Sequence, residues 1–436
     1  MNLIIDIDII SGPFVIAVYA IALAAAVLLV VIRPSRRWSR RRWLLTALIA
    51  AVVGALVGLG ATWLLNDQLD LFGAPLSIVA RTWIALGFAG FGLAIASFWR
   101  ATWKRVIASI LALLLFAGTT AMSINIDFGQ YPTVRSALGI STFSDSGLPP
   151  VVPTDEPSRP TIATWTPPAD MPTAGKVTSV TIPATQSGFP ARPGVVYLPP
   201  AAQVANPPEL PVLIMLSGQP GSPEDPLVSS KLQQSLDEYA AAHQGLAPIV
   251  VSPDQLGDPA ANPMCIDSVL GQSATYLTVD VPNWITGNLN VLAGPHFWGI
   301  GGLSQGGTCS IQLAAGNPQL FGAILDASGE ETPRVGDVQT TADAAFGGDV
   351  SKYEAAYPAN IMKAHAPYTD MFAVFGVGAN DSYYIDGVKN IYADAQAAGM
   401  TATYIEAPGS AHDTTTWSYV FKQGLGLISD HWGLNR

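Results

Sequence analysis

The sequence predicts four membrane-spanning helices followed by a doubly wound, mainly parallel α/β domain. Three observations predict it: long apolar runs confined to the first part of the chain, alternating strand and helix patterns after it, and a glycine-rich turn between one strand and one helix. The chain has 436 residues, of which 49% are hydrophobic and only 12% charged, a balance that favours a membrane protein. The predicted division is residues 1–126 for the helices, 127–175 for a juxtamembrane segment and linker, and 176–436 for the α/β domain.

The first apolar run, residues 12–32, carries no charged residue until Arg33 and is long enough to cross the roughly 30 Å hydrocarbon layer as a helix. Basic residues follow this run rather than precede it, and further apolar runs come next, so it is not a cleavable signal peptide. The other predicted spans are residues 43–65, 84–99 with a few flanking residues, and 106–126.

The charged residues of the connections predict the orientation of the spans. Basic residues crowd the first and third connections: Arg33, Arg36, Arg37, Arg40, Arg41, Arg42, Arg100, Lys104 and Arg105. Acidic residues occupy the start of the chain and the second connection: Asp6, Asp8, Asp67 and Asp70. By the positive-inside rule the basic loops are cytoplasmic, so both termini and the α/β domain are expected on the outer face of the plasma membrane. Since no charge lies at mid-span, the helices are expected to anchor the protein rather than conduct ions.

Eight prolines between Pro149 and Pro172 predict an extended, semi-rigid linker. From Asp127 onward the chain has 28 acidic and 11 basic residues. This acidic balance argues against nucleic acid as a partner. It is consistent with solubility, and also with a cationic substrate such as an aminoacyl ester.

Strand and helix patterns alternate along the second part of the chain, which indicates a mainly parallel sheet. The continuous apolar run at residues 211–216 is typical of a strand buried on both faces. The predicted strands are residues 177–182, 192–198, 211–216, 249–251, 297–300, 322–325, 371–376 and 401–406, and the clearest helices are 231–242 and 386–398.

The stretch Gly302-Leu303-Ser304-Gln305-Gly306 matches the pattern G-x-S-x-G. An apolar strand pattern precedes it and a helical pattern follows it. In this context the motif forms a sharp turn that exposes a nucleophilic serine at the edge of an α/β-hydrolase sheet, here Ser304.

A serine hydroxyl needs a base to accept its proton and a third group to orient that base. His412, in a loop after the last predicted strand, is the predicted base, and Asp381, after the preceding strand, is the predicted acid. Asp386 is the alternative acid, and Asp326 is a third candidate that is expected instead to support nearby loops. The order serine, aspartate, histidine is that of α/β-hydrolases. The other histidines are expected to be structural: His243, His296, His365 and His431.

The negative charge that develops during attack on an ester must be met by two N–H groups. Gln305, directly after the serine, offers one backbone amide. The other is expected from the loop after residue 216, where Gln219 is preferred because Pro220 has no N–H.

The chain has two cysteines, Cys265 and Cys309. If the domain lies outside the cytosol they are expected to form a disulfide, the alternative being two unrelated buried thiols. The sequence has neither metal-ligand spacing around them nor a nucleotide- or cofactor-binding motif, so no metal and no cofactor are expected.

Three segments together resemble the putative-esterase family of α/β-hydrolases, which includes esterase D-type enzymes and actinobacterial mycolyltransferases. They are Leu-Ser-Gly-Gln-Pro-Gly at 216–221, the elbow at 302–307 and Gly-Ser-Ala-His at 409–412. The resemblance covers residues 176–436. It implies the following site: Ser304 as nucleophile, His412 as base, Asp381 as acid, and the amides of Gln219 and Gln305 as oxyanion donors. The sequence departs from the family at Ser217, where relatives often carry His or Asp, and the spacing of the acid varies among members.

Three functions follow as alternatives. The first is a membrane-anchored serine esterase acting on an acyl or aminoacyl ester, including one carried by a lipid of the cell envelope. The second is an acyltransferase that moves the acyl group to a sugar or lipid hydroxyl, as the mycolyltransferases do. The third is an inactive hydrolase fold that serves as a scaffold. The membrane is the one expected partner besides the substrate, and the sequence does not indicate an oligomeric state.

Overall fold

The computed structural model describes residues 2–69, 75–152 and 159–435. The chain forms two compact units, Met1–Ile140 and Ser141–Arg436. Asp70, which entered the prediction of orientation, and residues 153–158 of the predicted linker lie outside the described residues.

The first unit is helical. Its helices are α1 (Asn2–Ile5), α2 (Gly12–Val31), α3 (Arg40–Thr62, continued by a π-helical stretch Trp63–Gln68), α4 (Ile78–Ala96), α5 (Trp103–Phe128) and α6 (Val134–Ala137). Four of them, α2 to α5, are long and apolar enough to cross a membrane. The four predicted apolar runs therefore each contain a helix of the expected kind.

Helix α4 begins earlier than the apolar pattern indicates. Its N-cap is Ser77, whose hydroxyl accepts from the amide of Ala80 at 2.9 Å. Arg81 lies within the first turn and donates to the carboxylate of Asp67 at 2.8 Å. Because this ion pair satisfies the guanidinium at the helix end, the arginine does not stop the helix.

Helices α3 and α4 pack closely along their glycines. A Cβ atom on Gly54 would lie 2.1 Å from the carbonyl oxygen of Phe88, and one on Gly92 would lie 2.1 Å from that of Ala50. Only glycine permits this approach, which is the usual way that apolar helices associate in a membrane.

Arg105 lies at the end of the bundle that contains the C-terminus of α2. Its guanidinium donates to the carbonyl oxygens of Leu28 and Leu29 at the end of α2, and to the hydroxyl of Ser97 at 3.1 Å. The last carbonyls of a helix have no donor within the helix. The carbonyl of Leu28 also accepts from the amide of Ile32 at 3.0 Å, so Arg105 adds a second donor there and supplies one to Leu29.

The second unit is built on an eight-stranded sheet. Its strands are β1 (Lys176–Val180), β2 (Gly194–Leu198), β3 (Val212–Leu216), β4 (Ile249–Ser252), β7 (Trp298–Leu303), β8 (Ala323–Ala327), β9 (Phe372–Gly378) and β10 (Thr401–Ala407), and a separate small hairpin consists of β5 (Asp267–Ser268) and β6 (Gly271–Gln272). The order across the sheet is β1-β2-β4-β3-β7-β8-β9-β10. Strand β2 is antiparallel to β1 and β4, and all the other neighbours are parallel.

Helices cover both faces of this sheet. They are α7 (Leu232–Ala242), α8 (Ser273–Thr275), α9 (Val281–Asn288), α10 (Gln305–Gly316), α11 (Val338–Ala345), α12 (Val350–Ala355), α13 (Pro358–His365), α14 (Ile385–Ala397) and α15 (Thr414–His431). Successive side chains of a strand point to opposite faces. Leu325 of β8 lies against Gly424 of α15, whereas the next residue, Asp326, lies against Gly307 of α10. Helices α10 and α15 therefore lie on opposite sides of the sheet.

The predicted fold class is confirmed: a helical N-terminal region precedes an α/β-hydrolase domain with a mainly parallel sheet. Strands β3, β4, β7 and β8 are buried throughout, which explains their continuous apolar runs.

The residues just before the predicted linker and the described parts of the linker itself belong to the second unit and pack against the rest of it instead of standing free. The amide of Ser179 in β1 donates to the carbonyl of Ser144 at 3.2 Å. The guanidinium of Arg159 donates to Glu209 at 3.0 Å and to Asn290 at 2.8 Å, and the indole of Trp165 donates to the carbonyl of Gln244 at 2.9 Å. Proline prevents regular hydrogen bonding along the backbone, but it does not prevent such tertiary contacts.

Candidate active site

Ser304 occupies a strained turn between β7 and α10. Its backbone has φ 52° and ψ −121°, a positive φ that residues other than glycine seldom adopt. The turn is held by its own backbone: the amide of Ser304 donates to Ala327 in β8 at 2.8 Å, and the amide of Thr308 donates to the carbonyl of Ser304 at 3.0 Å.

Steric contacts explain why the motif has glycine at both of its ends, Gly302 and Gly306. A Cβ atom on Gly302 would lie 2.4 Å from the carbonyl carbon of Gly306, and one on Gly306 would lie 2.3 Å from the carbonyl oxygen of Ser217. Real Cβ atoms do not approach other atoms so closely. The turn can form beside the end of β3 only because both positions are glycine.

Three side chains from three loops meet beside this turn. The Nε2 atom of His412 lies 3.0 Å from the hydroxyl oxygen of Ser304, and its Nδ1 atom lies 3.1 Å from a carboxylate oxygen of Asp381. Asp381 is 5% exposed, whereas the side chain of His412 is 22% exposed. All three follow parallel strands, so they meet at the carboxyl edge of the sheet, where α/β domains bind their ligands.

The loop that carries His412 is fixed on both sides. Asp413 is the N-cap of α15, and its carboxylate accepts from the amides of Thr415 and Thr416 at 2.8 and 3.1 Å. Gly378, the last residue of β9, has no Cβ atom, which would otherwise lie 2.4 Å from the carbonyl oxygen of Ala411. This glycine therefore lets the histidine loop close over the end of β9.

Tyr384 and Trp417 hold the imidazole ring in place. The ring of Tyr384 stacks on His412 with centroids 4.0 Å apart and an interplanar angle of 13°, and Trp417 meets it edge-on at 5.7 Å. The amide of Tyr384 also donates to Asp381 at 3.3 Å. Burial raises the pKa of the Tyr384 hydroxyl well above its ordinary value, so the stacked ring stays neutral.

The loop after β3 lies beside the serine, as the predicted oxyanion site requires. A Cβ atom on Gly218 would lie 3.6 Å from the Cβ atom of Ser304. Gln219 follows, with its side-chain amide donating to the carbonyl of Ala260 at 2.8 Å. Gln305 is the first residue of α10, and the first N–H groups of a helix have no acceptor within the helix.

The side chain of Gln305 is tied into a buried network. Its amide donates to Asn262 at 3.1 Å, and its oxygen accepts from Gln255 at 3.2 Å. Gln255, which is fully buried, also donates to the carbonyl of Ser217 at 2.7 Å. Both segments that carry the predicted oxyanion amides are thus joined through one glutamine.

Comparison with known proteins gives a family for this chain. The model of the Esterase family, whose description is "Putative esterase", matches residues 191–427, which is more than half of the chain. The chain belongs to the Esterase family. This membership supports hydrolase activity, and the expected resemblance is confirmed.

Several known proteins are similar to this chain over long stretches. An uncharacterized protein of Corynebacterium glutamicum is 29% identical over 434 residues, which is 96% of either chain. Among solved structures, an S-formylglutathione hydrolase from Agrobacterium tumefaciens is 18% identical, with a TM-score of 0.48, and covers 59% of this chain and 95% of its own. A ferulic acid esterase is also 18% identical, with a TM-score of 0.46, and covers 59% of this chain and 99% of its own.

The other acidic candidates lie apart from the imidazole of the esterase. Asp386 is exposed in the first turn of α14. Asp326 lies beneath α10, where one carboxylate oxygen accepts from the amide of Gly329 at 2.9 Å. Burial raises the pKa of the Asp326 carboxyl to about 8, so it is largely neutral at pH 7. Its contact with the Gly329 amide agrees with the expected support of a loop.

The other histidines lie away from Ser304. His243 and His365 each approach a backbone carbonyl four residues earlier, of Tyr239 and Ile361. His296 and His431 lie with Asp370 near the amino ends of β7 and β9, at the sheet edge opposite the serine. Among the described residues, these three form the one group of His, Cys, Asp and Glu whose ligand atoms, within 4.8 Å of one another, could share a metal ion.

The predicted disulfide is present and supports the site. Cys265 is bonded to Cys309, which lies in the second turn of α10. The Sγ atom of Cys309 also accepts from the side-chain amide of Gln305 at 3.2 Å. The bond joins the loop after β4 to the helix that begins next to the serine.

Sequence reasoning missed Tyr384, Trp417 and Gln255. One signal was available for Tyr384, because a residue three positions after a loop aspartate can donate its amide back to that carboxylate. Trp417 and Gln255 reach the site through tertiary packing, which no local pattern reveals.

Proposed function

We propose that this protein is a serine esterase, anchored by its four apolar helices, that hydrolyses an ester at the outer face of the plasma membrane. The single observation that carries the proposal is the hydrogen-bonded chain from Ser304 through His412 to Asp381, with both distances near 3 Å. Membership of the Esterase family supports the same reaction class.

In the proposed mechanism, Nε2 of His412 takes the proton of the Ser304 hydroxyl as the oxygen attacks the ester carbonyl. Asp381 holds the proton on Nδ1 and stabilises the imidazolium that forms. The imidazolium then protonates the departing alcohol, which leaves an acyl group on Ser304. Water, deprotonated by the same imidazole, attacks the acyl-enzyme and releases the acid and free serine.

The developing oxyanion is bound by the backbone amides of Gln219 and Gln305. What supports this assignment is the position of the β3 loop beside Ser304, and the place of Gln305 at the start of α10. Loss of one such donor typically lowers the rate by about 10²–10³.

The outer-face location rests on the arginine-rich connections and on the Cys265–Cys309 disulfide, since disulfides persist in oxidising compartments. Reporter fusions at residue 38 and at the C-terminus test it. A reporter enzyme that is active only outside the cytoplasm is expected to be active when fused at the C-terminus and inactive when fused at residue 38. Activity only at residue 38 would contradict the proposed location.

Activity of the full-length protein in detergent on a panel of p-nitrophenyl and aminoacyl esters tests the reaction. Wild type should release free acid, and Ser304→Ala should lose nearly all of this activity, because only substrate binding and the oxyanion donors then remain. Adding glycerol or trehalose distinguishes hydrolysis from acyl transfer, because a transferase would form the glyceryl or sugar ester instead of the acid. A wild type that turns over none of these esters, or a Ser304→Ala variant as active as wild type, would argue against the proposal.

A further inference from the structure

The hairpin of β5 and β6 carries two apolar residues at its tip. Val269 and Leu270 form the two-residue turn and are 89% and 43% exposed. Two-residue hairpin turns favour Asn, Asp and Gly, whose conformations suit the turn and whose polarity suits water. Val269 and Leu270 do not follow this preference. Departures from local sequence preferences are expected at functional positions.

The hairpin is held firmly at its base. Cys265, two residues before β5, is bonded to Cys309 of α10. The carboxylate of Asp267 accepts from the amide and the hydroxyl of Thr275 at 3.0 and 2.6 Å, which closes the hairpin on the following helix. The exposed tip is therefore presented by an anchored element rather than by a loose loop.

The segment before the hairpin contacts the loop of Arg334 and the start of α10 at the carboxyl edge of the sheet. The side-chain amide of Asn262 donates to the carbonyl of Arg334 at 2.9 Å, and its oxygen accepts from Gln305 at 3.1 Å. Arg334 in turn donates to the hydroxyl of Tyr383 at 2.7 Å, next to the tyrosine that stacks on His412. The hairpin thus belongs to the loops that surround Ser304.

The segment after Arg334, the start of α11 and the loop before α14 carry further exposed apolar side chains. Val335 and Val338 are 37% and 49% exposed, and Tyr383 is 46% exposed. We call the five residues Val269, Leu270, Val335, Val338 and Tyr383 the apolar rim. Exposed apolar groups gathered around a site mark a binding surface more often than isolated ones do.

A lipid surface is the occupant that suits the rim. The same chain has four helices of the length and composition that cross a membrane, and a bilayer crossed by them would be tethered to this unit. Aliphatic residues with a tyrosine are the side chains that partition into the interface of a bilayer. Since the chain from Asp127 onward has 28 acidic and only 11 basic residues, contact with the lipid must depend on apolar burial rather than on attraction to anionic headgroups.

We propose that the apolar rim docks on the lipid surface, with Val269 and Leu270 inserted among the acyl chains, so that an ester carried by a lipid reaches Ser304. The choice of a lipid-borne ester rests on the proposed function, whereas the docking itself does not.

The docking is tested with full-length protein in nanodiscs of zwitterionic lipid. Val269→Cys is labelled with an environment-sensitive dye, the native cysteines being joined in the disulfide, and lipids brominated on the acyl chain are added as quenchers. Leu427→Cys, on α15 and 36% exposed, is the control outside the apolar rim. Loss of dye fluorescence at 269 but not at 427 is expected. Equal fluorescence with and without bromine at 269, or quenching only with anionic lipid, would overturn the proposal.

The consequence for substrate is tested with Val269→Ser combined with Leu270→Ser. Turnover of an ester-bearing lipid in the same nanodisc should fall about tenfold, because burial of two aliphatic side chains is worth at least that factor. Hydrolysis of water-soluble p-nitrophenyl acetate should not change. Equal turnover of the lipid ester, or an equal loss on both substrates, would overturn the role in lipid access. If Ser304 itself proved unreactive, both rates would be absent while the quenching result stood, so failure of the two proposals is distinguishable.

Discussion

Asp381 lies 3.1 Å from Nδ1 of His412, although 31 residues separate them, while Asp386 is exposed on the first turn of the next helix. The hydrogen bond from the amide of Tyr384 at 3.3 Å and the low exposure of Asp381 show that this carboxylate is fixed within the loop. The order of residues in the sequence left both Asp381 and Asp386 open as the acid, and their positions in the structure distinguish them.

We predict that Asp381→Asn lowers kcat by about 10³–10⁴, because an asparagine amide would favour the wrong tautomer of the imidazole. Asp386→Asn is the matched control and should change kcat by no more than about twofold, as for other surface substitutions. Steady-state hydrolysis of a soluble ester measures both. A large loss for Asp386→Asn with a small one for Asp381→Asn would reverse the assignment of the acid.

Gly306→Ala is expected to abolish activity or prevent folding. The added methyl group would lie 2.3 Å from the carbonyl oxygen of Ser217 and 2.7 Å from that of Leu216, and neither backbone group can move without opening the sheet. Gly316→Ala, at the end of the same helix, meets only Ile361 at 3.7 Å and should be tolerated, with a gain of up to about 1 kcal/mol from helix propensity. Expression level and unfolding midpoint compare the two. Equal behaviour would show that the elbow does not need its glycine.

The buried Asp326 predicts a pH-dependent stability. Its pKa is raised from 3.8 to about 8 in the folded protein, so the native state keeps a proton that the unfolded chain releases between these values. The contribution of Asp326 to the free energy of unfolding is therefore fully present below about pH 4 and is lost as the pH rises towards 8. Between these values the free energy of unfolding falls by at most about 1.4 kcal/mol per pH unit.

Asp326→Asn, which resembles the protonated acid, should remove this dependence and unfold at higher urea concentration than wild type at pH 8. Asp170→Asn, at an exposed position, serves as control. Urea unfolding at pH 5, 6.5 and 8, followed by near-ultraviolet circular dichroism, gives the comparison. A wild type and an Asp326→Asn variant with parallel pH profiles would show that the carboxyl is ionised when buried.

Removal of the disulfide should destabilise the second unit. The bond closes a loop of 44 residues, for which chain entropy predicts about 4 kcal/mol, with smaller values common in practice. Cys265→Ser combined with Cys309→Ser should lower the free energy of unfolding accordingly. Reductant should destabilise the wild type but leave the double variant unchanged. If wild type does not respond to reductant under unfolding conditions, the bond does not contribute in solution.

The elements that sequence could predict are those with local causes. The glycines of the elbow are required within a few residues of Ser304, and the strands were visible because burial on both faces forces continuous apolar runs. The order of Asp381 and His412 along the chain was enough to make them candidates, because parallel strands bring their carboxyl ends to one edge, but it left Asp386 open as the acid.

The elements that sequence could not predict depend on distant contacts. Tyr384 and Trp417 reach His412 only after α14 and α15 are packed on the sheet. The segment around Arg159 was predicted to be a linker because its many prolines cannot form regular backbone hydrogen bonds. Proline content does not reveal ion pairs such as that between Arg159 and Glu209. Hydropathy alone predicts that helix α4 begins after the charged residue Arg81. The helix begins earlier because Asp67 neutralises this arginine.

The most direct test of the account is fluorophosphonate labelling of the full-length protein, followed by peptide mass spectrometry. A fluorophosphonate reacts with a serine only when a base accepts its proton, so it reports the coupling of Ser304 to His412 without knowledge of the substrate. The account predicts adduct on Ser304 in wild type and its loss in both Ser304→Ala and His412→Gln. No adduct on folded wild type, or undiminished labelling of Ser304 in His412→Gln, would contradict it.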